Sequence, residues 1–160
     1  MAGFDMGRIY FHGNNKSMDE LKLALKYKVE TIIVDNLMEA RLLSELAKNL
    51  DYTVSILLRV NPGIEAHTHE YIVTANIDSK FGISIEKKSD ILELIQIINA
   101  CPNLSFDGFH VHIGSQIFDK EAFVQEVNKV CEFVSNLGVD VSTLVEDLVQ
   151  FIQVKIHQFL

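Results

Sequence analysis

The segment Gly108-Phe109-His110-Val111-His112-Ile113-Gly114-Ser115-Gln116 places two imidazoles two residues apart on an apolar background. In an extended strand that spacing sends both rings to one face. Gly114-Ser115 follows, a permissive turn carrying a hydroxyl where the strand stops. Rings that can stack or titrate, next to a small donor-rich turn, suit an aromatic ligand that bears a phosphate. A strand histidine bonded to a neighbour inside a core is the competing explanation for each ring. The His-x-His pair also occurs in metal-dependent hydrolases, and His67 and His69 are further candidate ligands. A catalytic zinc commonly takes three protein ligands, and those two fall on a loop with no evident anchor, so no metal is expected.

Other strand ends carry chemistry as well. Arg59 offers a planar fork that can hold a phosphate or carboxylate, or pair with Asp35 or Glu39. Asp35 can orient another side chain or cap its helix. Lys16 and Lys80 are amines that could in principle attack a carbonyl. Lys16 opens a helix with acidic neighbours and is expected to face solvent, whereas Lys80 sits beside Phe81-Gly82 in a loop.

These residues need elements to place them. Arg8–His12 is a strand candidate, and Ser17 begins a capping box with Glu20 that opens a helix to about Tyr27. Thr31–Asp35 is a second strand, and Asn36 can cap a helix running to about Lys48. Thr53–Val60 is a third strand, stopped by Asn61-Pro62-Gly63. After a long polar connection, Ser89 is the expected cap of a helix ended by Cys101-Pro102-Asn103. Leu104–Ile113 forms the fourth strand, and Glu121–Leu137 an amphipathic helix closed by Gly138. Strand and helix alternate, which predicts an α/β fold with a parallel sheet covered by helices.

Polar groups stand at the end of each strand in turn: His12-Gly13-Asn14-Asn15, Asp35-Asn36, Arg59-Val60-Asn61-Pro62 and His112-Ile113-Gly114-Ser115. An open doubly wound sheet would gather them at one switch point. A barrel distributes them over all its βα loops. The expected fold is therefore an incomplete (β/α) barrel of about four βα units, since a whole one takes about 250 residues. From 145 onward Leu144, Leu148, Ile152 and Ile156 recur every four residues, which predicts a divergent amphipathic helix over 145–160 after a partial barrel over 1–144.

The bulk properties bound the partners. The chain has 160 residues, 48% hydrophobic and 22% charged, with a formal net charge of −8. That balance argues against nucleic acid, which favours a basic face. Lys22, Lys26 and Lys28 cluster with Lys16, but Asp19 and Glu20 are interleaved, as on a solvated face. Cys101 and Cys131 are far apart and read as free thiols in a reducing compartment. No apolar run reaches membrane-spanning length and no signal-peptide pattern opens the chain, so a cytoplasmic protein is expected.

Four segments then occur in order: His12-Gly13-Asn14-Asn15-Lys16-Ser17, Arg59-Val60-Asn61-Pro62-Gly63, Asp78-Ser79-Lys80-Phe81-Gly82 and Gly108 to Gln116. Together they resemble the pyridoxal-phosphate decarboxylase group that includes the diaminopimelate, ornithine and arginine decarboxylases. The combination is nearer the diaminopimelate branch, and the resemblance covers residues 2 to about 144. It implies a pyridoxal-phosphate barrel of the alanine-racemase type, and removal of a carboxylate from meso-diaminopimelate to give L-lysine. It implies that His112 stacks on the pyridine ring, that Ser115 helps hold the phosphate end, and that Arg59 lines the barrel near the ring. The family's Schiff-base lysine would precede the first segment and Lys16 is not its counterpart, so covalent cofactor binding is not expected in this chain. A Gly-rich phosphate loop would follow Leu144, where this sequence has no glycine. The implied reading is a partial decarboxylase, inactive alone. A subunit completed by another polypeptide that carries the missing lysine, and a non-catalytic half-barrel scaffold, stand as alternatives, with a homodimer or a complementing chain as the expected protein partner.

Overall fold

The structure, a computed structural model, describes residues 3–64, 81–114, 120–146 and 152–155, with the backbone alone for 146 and 152–155. A short 3-10 turn, Met6–Arg8, leads into β1 (Tyr10–Phe11) and α1 (Met18–Lys26). There follow β2 (Thr31–Val34), α2 (Leu37–Ala47), β3 (Val54–Asn61), β4 (Ile83–Ser84) and α3 (Lys88–Asn99). The last elements are β5 (Leu104–Val111), α4 (Lys120–Leu137), β6 (Thr143–Glu146) and β7 (Ile152–Lys155).

The strand order is β1-β2-β3-β5-β6-β7, parallel throughout except for the antiparallel β6–β7 pair. β4 adds two residues beside the end of β3, Ile83 opposite Val60 and Ser84 opposite Asn61. This is the curled parallel sheet of a partial (β/α) barrel. So short a strand carries no periodicity, and only its partner makes it visible.

Local chemistry explains the boundaries. Ser17 Oγ accepts from the Glu20 amide (3.3 Å) while Glu20 Oε2 accepts from the Ser17 amide (2.8 Å). Such a cap stabilises a helix by about 1 kcal/mol. Asn36 Oδ1 accepts from the Glu39 amide at 2.9 Å to start α2. Ser89 does not cap α3. The Lys87 amide donates to Ser84 O, so the chain enters the helix through a turn, and the Ser89 hydroxyl donates to Asp90 instead.

The two faces of the sheet have different tasks. Ile32, Val34, Ile56, Leu58, Val60, Phe109, Val111 and Leu144 pack with helix residues Leu21, Ala40, Leu43, Ile91, Leu94, Ile98 and Val130 in one core. The other face carries a small apolar cluster, Ile33, Leu57 and Val145 with Tyr10, interrupted by polar residues. The register between β3 and β5 shifts once, between Ile56/Leu57, where Phe106 and Gly108 are successive partners and Asp107 is the extra residue. Gly108 has φ 152° and lies so close to β6 that a Cβ would overlap Thr143 O, which excludes a side chain there.

The helix expected over 145–160 is corrected where the chain is described. Residues 143–146 are β6 and residues 152–155 are β7, with Thr143 opposite Lys155 and Glu146 opposite Ile152. Ile152-Gln153-Val154-Lys155 alternates β-branched apolar with polar residues, which suits a strand as well as the four-residue spacing suited a helix. Pairing decides between them, because β6 offers an edge of backbone donors and acceptors. The rest of 147–160 lies outside the described residues.

Candidate active site at the strand ends

β5 ends in the two expected imidazoles. His110 is opposite Arg59 on β3 and Val145 on β6, and is fully buried. His112, one pleat further on, is half-buried just past the end of the strand. Both belong to the face that carries Arg59 and Ile33, away from the helices. His12, just past β1, brings its ring to a centroid distance of 5.9 Å from His110, tilted by 40°.

Arg59 is held from two sides. Its Nη1 lies 3.8 Å from Asp35 Oδ1, and its guanidinium carbon lies 4.8 Å from the centroid of the Phe81 ring. Asp35 Oδ2 accepts from the Gly82 amide at 3.1 Å. The main chain at Gly82 (φ 69°) passes so near β3 that a Cβ would stand 2.9 Å from Arg59 O. Phe81-Gly82 is thereby seated across Arg59, and the ion-pair explanation of this arginine is realised with Asp35.

Lys16 departs from expectation. Its side chain is 2% exposed, and the ammonium meets Glu39 Oε1 at 2.7 Å, Gly13 O at 2.6 Å and Ile33 O at 2.8 Å. Of the three protons an ammonium can donate, two go to the carbonyls, and the carboxylate stands beside them at ion-pair distance. The acidic neighbours in sequence suggested solvent, but the partner comes from α2. Glu39 Oε2 in turn accepts from the Asp35 amide at 3.4 Å. Burial pushes the Glu39 carboxyl above its ordinary value, while the Lys16 charge and hydrogen bond oppose that shift.

Of the residues singled out from the sequence, His12, Asp35, Arg59, His110 and His112 come together at the ends of adjacent strands. Ser115, Gln116, His67, His69, Asp78, Ser79 and Lys80 lie outside the described residues. Among the described residues no group of His, Cys, Asp and Glu could hold a metal ion, and no helix is long and apolar enough to cross a membrane. Two contributors escaped sequence reasoning: Glu39 as the partner of Lys16, and Phe81 as the platform of Arg59. Glu39 did leave a trace. It shares a helix face with Leu43 and Ala47, both buried, and a carboxylate on a buried face needs a partner.

In (β/α)-barrel enzymes the carboxy-terminal ends of the strands form the working end, and the rings and charges of this arc stand there. The comparisons with known proteins then specify which. Residues 1–146 match the family model of the pyridoxal-dependent decarboxylases, pyridoxal binding domain. The chain belongs to this family. It is 44% identical over 129 residues to a diaminopimelate decarboxylase of Bacillus subtilis (strain 168), covering 81% of this chain and 29% of that protein. Against the diaminopimelate decarboxylase of Staphylococcus aureus (strain COL) it is 42% identical over 147 residues, 89% of this chain and 33% of that one. The crystal structure of diaminopimelate decarboxylase from Helicobacter pylori, complexed with L-lysine, superposes with a TM-score of 0.77 at 30% identity. That match covers 94% of this chain and 40% of the other. The chain thus spans about a third of the length of the curated relatives it matches.

The family cofactor is a phosphorylated pyridine aldehyde. The donor set fits one side of it: the exposed His12 and half-buried His112 for an aromatic ring, and the Arg59 guanidinium on the same face for an anionic group. Lys16 does not fit as its covalent anchor, because its buried ammonium is taken up by two carbonyls and a carboxylate.

Proposed function

We propose that this chain forms the ring-facing wall of a pyridoxal-phosphate-dependent decarboxylase acting on diaminopimelate. The observation that carries the reading is the convergence of His12, Asp35, Arg59, His110 and His112 on one face at consecutive strand ends, in a chain whose curated relatives are diaminopimelate decarboxylases. When bound, the cofactor supplies an electron sink for the charge left on the carbon that loses carbon dioxide. The chain's own residues do the placing. His112 presents a flat, half-buried ring against which the pyridine stacks. Arg59, fixed by Asp35 and Phe81, keeps a positive charge on the same face without being free to swing. Ser115 follows His112 closely enough in sequence to supply a hydroxyl to the phosphate end. The covalent anchor is not Lys16. A complementing chain that carries such a lysine would complete the site, in a cytoplasmic enzyme of amino-acid biosynthesis.

The test is titration of the full chain with pyridoxal phosphate, followed by borohydride and mass mapping of the lysines. Saturable binding that shifts the His112 ring resonances is expected, with no stoichiometric adduct at a defined lysine. A stoichiometric adduct on Lys16 or Lys80, or binding that leaves His112 untouched, would overturn the reading.

A further inference from the structure

We propose that Lys16 is a positioning residue of this barrel mouth, which fixes the loop that carries His12 beside His110. The inference deepens the reading above, and rests on it only for the claim that these rings face a ligand. β1 is two residues long, Tyr10–Phe11, and pairs with β2 through Tyr10 opposite Thr31 and Phe11 opposite Ile32. His12 lies beyond that ladder, so backbone pairing does not fix its ring. The loop from His12 to Ser17 is fixed by a side chain. Lys16 reaches back to Gly13 O, the carbonyl next to His12, and across to Ile33 O at the end of β2. One buried ammonium therefore ties the first loop both to itself and to the neighbouring strand, and Glu39 supplies the counter-charge.

The same contacts extend beyond the loop. Glu39 accepts from the Asp35 amide, and Asp35 holds both Arg59 and the Gly82 amide. Two carboxylates stand between two cations from the loop after β1 to the loop before β4, in the order Lys16, Glu39, Asp35, Arg59. Lys16 and Glu39 are unequal partners in this row. The lysine has three acceptors on three separate segments, and neutralising it strands two carbonyls together with a carboxylate. A glutamine at 39 still offers an oxygen to the ammonium.

The experiment uses the full chain without cofactor, so its result is independent of whether pyridoxal phosphate binds. Carbon-detected ring spectra of the histidines are compared in wild type, Lys16→Met and Glu39→Gln. In K16M the His12 and His110 ring signals are expected to move together, as mutual ring-current shifts disappear, while residues at the opposite ends of the strands keep theirs. In E39Q the two rings are expected to stay within the spread of wild type. Unchanged His12 and His110 signals in a folded K16M would overturn the proposal. Should K16M not fold, the wild-type Lys16 ammonium decides. A slowly exchanging signal with couplings to the Gly13 and Ile33 carbonyls is expected, and a freely rotating, solvent-exchanging ammonium would refute the assignment.

Discussion

The two ends of the parallel strands satisfy their polar groups in different ways. At the amino-terminal end Thr31 donates to Ser55 at 3.3 Å, the Ser55 hydroxyl donates to Asp107, and Ser105 donates to the other Asp107 oxygen at 2.7 Å. Ser142 gives both its amide and its hydroxyl to Asp107 O. Short-armed hydroxyls close around one carboxylate, and the strands are stapled. At the carboxy-terminal end the groups are long-armed charges and rings. Arg59 and Asp35 stand at 3.8 Å, an electrostatic rather than a hydrogen-bonded distance, and His12 and His110 meet as tilted rings. Hydroxyls tie the strands together at one end; at the other, charges and rings gather where a ligand of this family would meet them. Lys16 is the exception at the reactive end, a buried, paired cation that behaves like the groups at the stapled end.

That contrast can be broken experimentally, and the largest expected effect is at the exception. K16M removes one partner of a buried ion pair, a change that typically costs about 3–5 kcal/mol, readable as a lowered urea midpoint. A loss below about 1 kcal/mol, the range of surface pairs, would return Lys16 to the solvent-facing role its neighbours suggested. At the stapled end, D107A strands two hydroxyl donors and is expected to cost about 1–3 kcal/mol while leaving pyridoxal phosphate affinity unchanged. Weaker cofactor binding in D107A would show that the two ends are not separate in function. H112A is expected to do the reverse. Loss of a stacking ring lowers affinity by roughly tenfold, taking about 1–3 kcal/mol for aromatic stacking, with little change in the unfolding midpoint.

The smallest effect sharpens the Lys16–Glu39 asymmetry. Burial raises the Glu39 carboxyl above its ordinary 4.5, so the folded chain holds that proton more tightly than the unfolded one. The Glu39 contribution to stability is then fully present below pH 4.5 and is lost as pH rises through the folded value. E39Q, which keeps an oxygen for the ammonium, should therefore cost less than K16M, and wild type should lose ground to it as pH rises. Thermal scans from acid to neutral pH in both proteins check the sign, and an opposite slope would make Glu39 a full partner of Lys16.

The sequence carried much of this. The capping box at Ser17, the Asn36 cap, the strand–helix alternation and the spacing of His110 and His112 are short-range patterns, and each folds as its residues dictate. What stayed hidden depends on distant partners. β4 exists because Val60 and Asn61 offer it a ladder, and β7 because β6 does, against a helical period that local spacing alone favoured. Lys16 looked solvated because its acidic neighbours in sequence were visible and its buried acceptors, Ile33 O and Glu39, were not. Arg59 illustrates the intermediate case. Its partner Asp35 was among the candidates from the start, whereas the stacking of Phe81 depends on the path of the chain through Gly82.

The extra residue in β5 has a consequence for how this surface is written in the chain. Before Asp107, Phe106 lies opposite Ile56; after it, Gly108 lies opposite Leu57 and His110 opposite Arg59. Were Asp107 to pair regularly with Leu57 instead of bulging out, His110 would stand opposite Val60, and the odd and even positions of the strand would exchange sides. Both imidazoles would turn into the greasy layer beneath the helices, and Phe109 and Val111 would surface among the charges. The histidines are thus read in a frame that a single residue sets, in the way that one inserted letter changes every later word. The carboxylate that staples the quiet end of the sheet is the same residue that decides which way the reactive end faces.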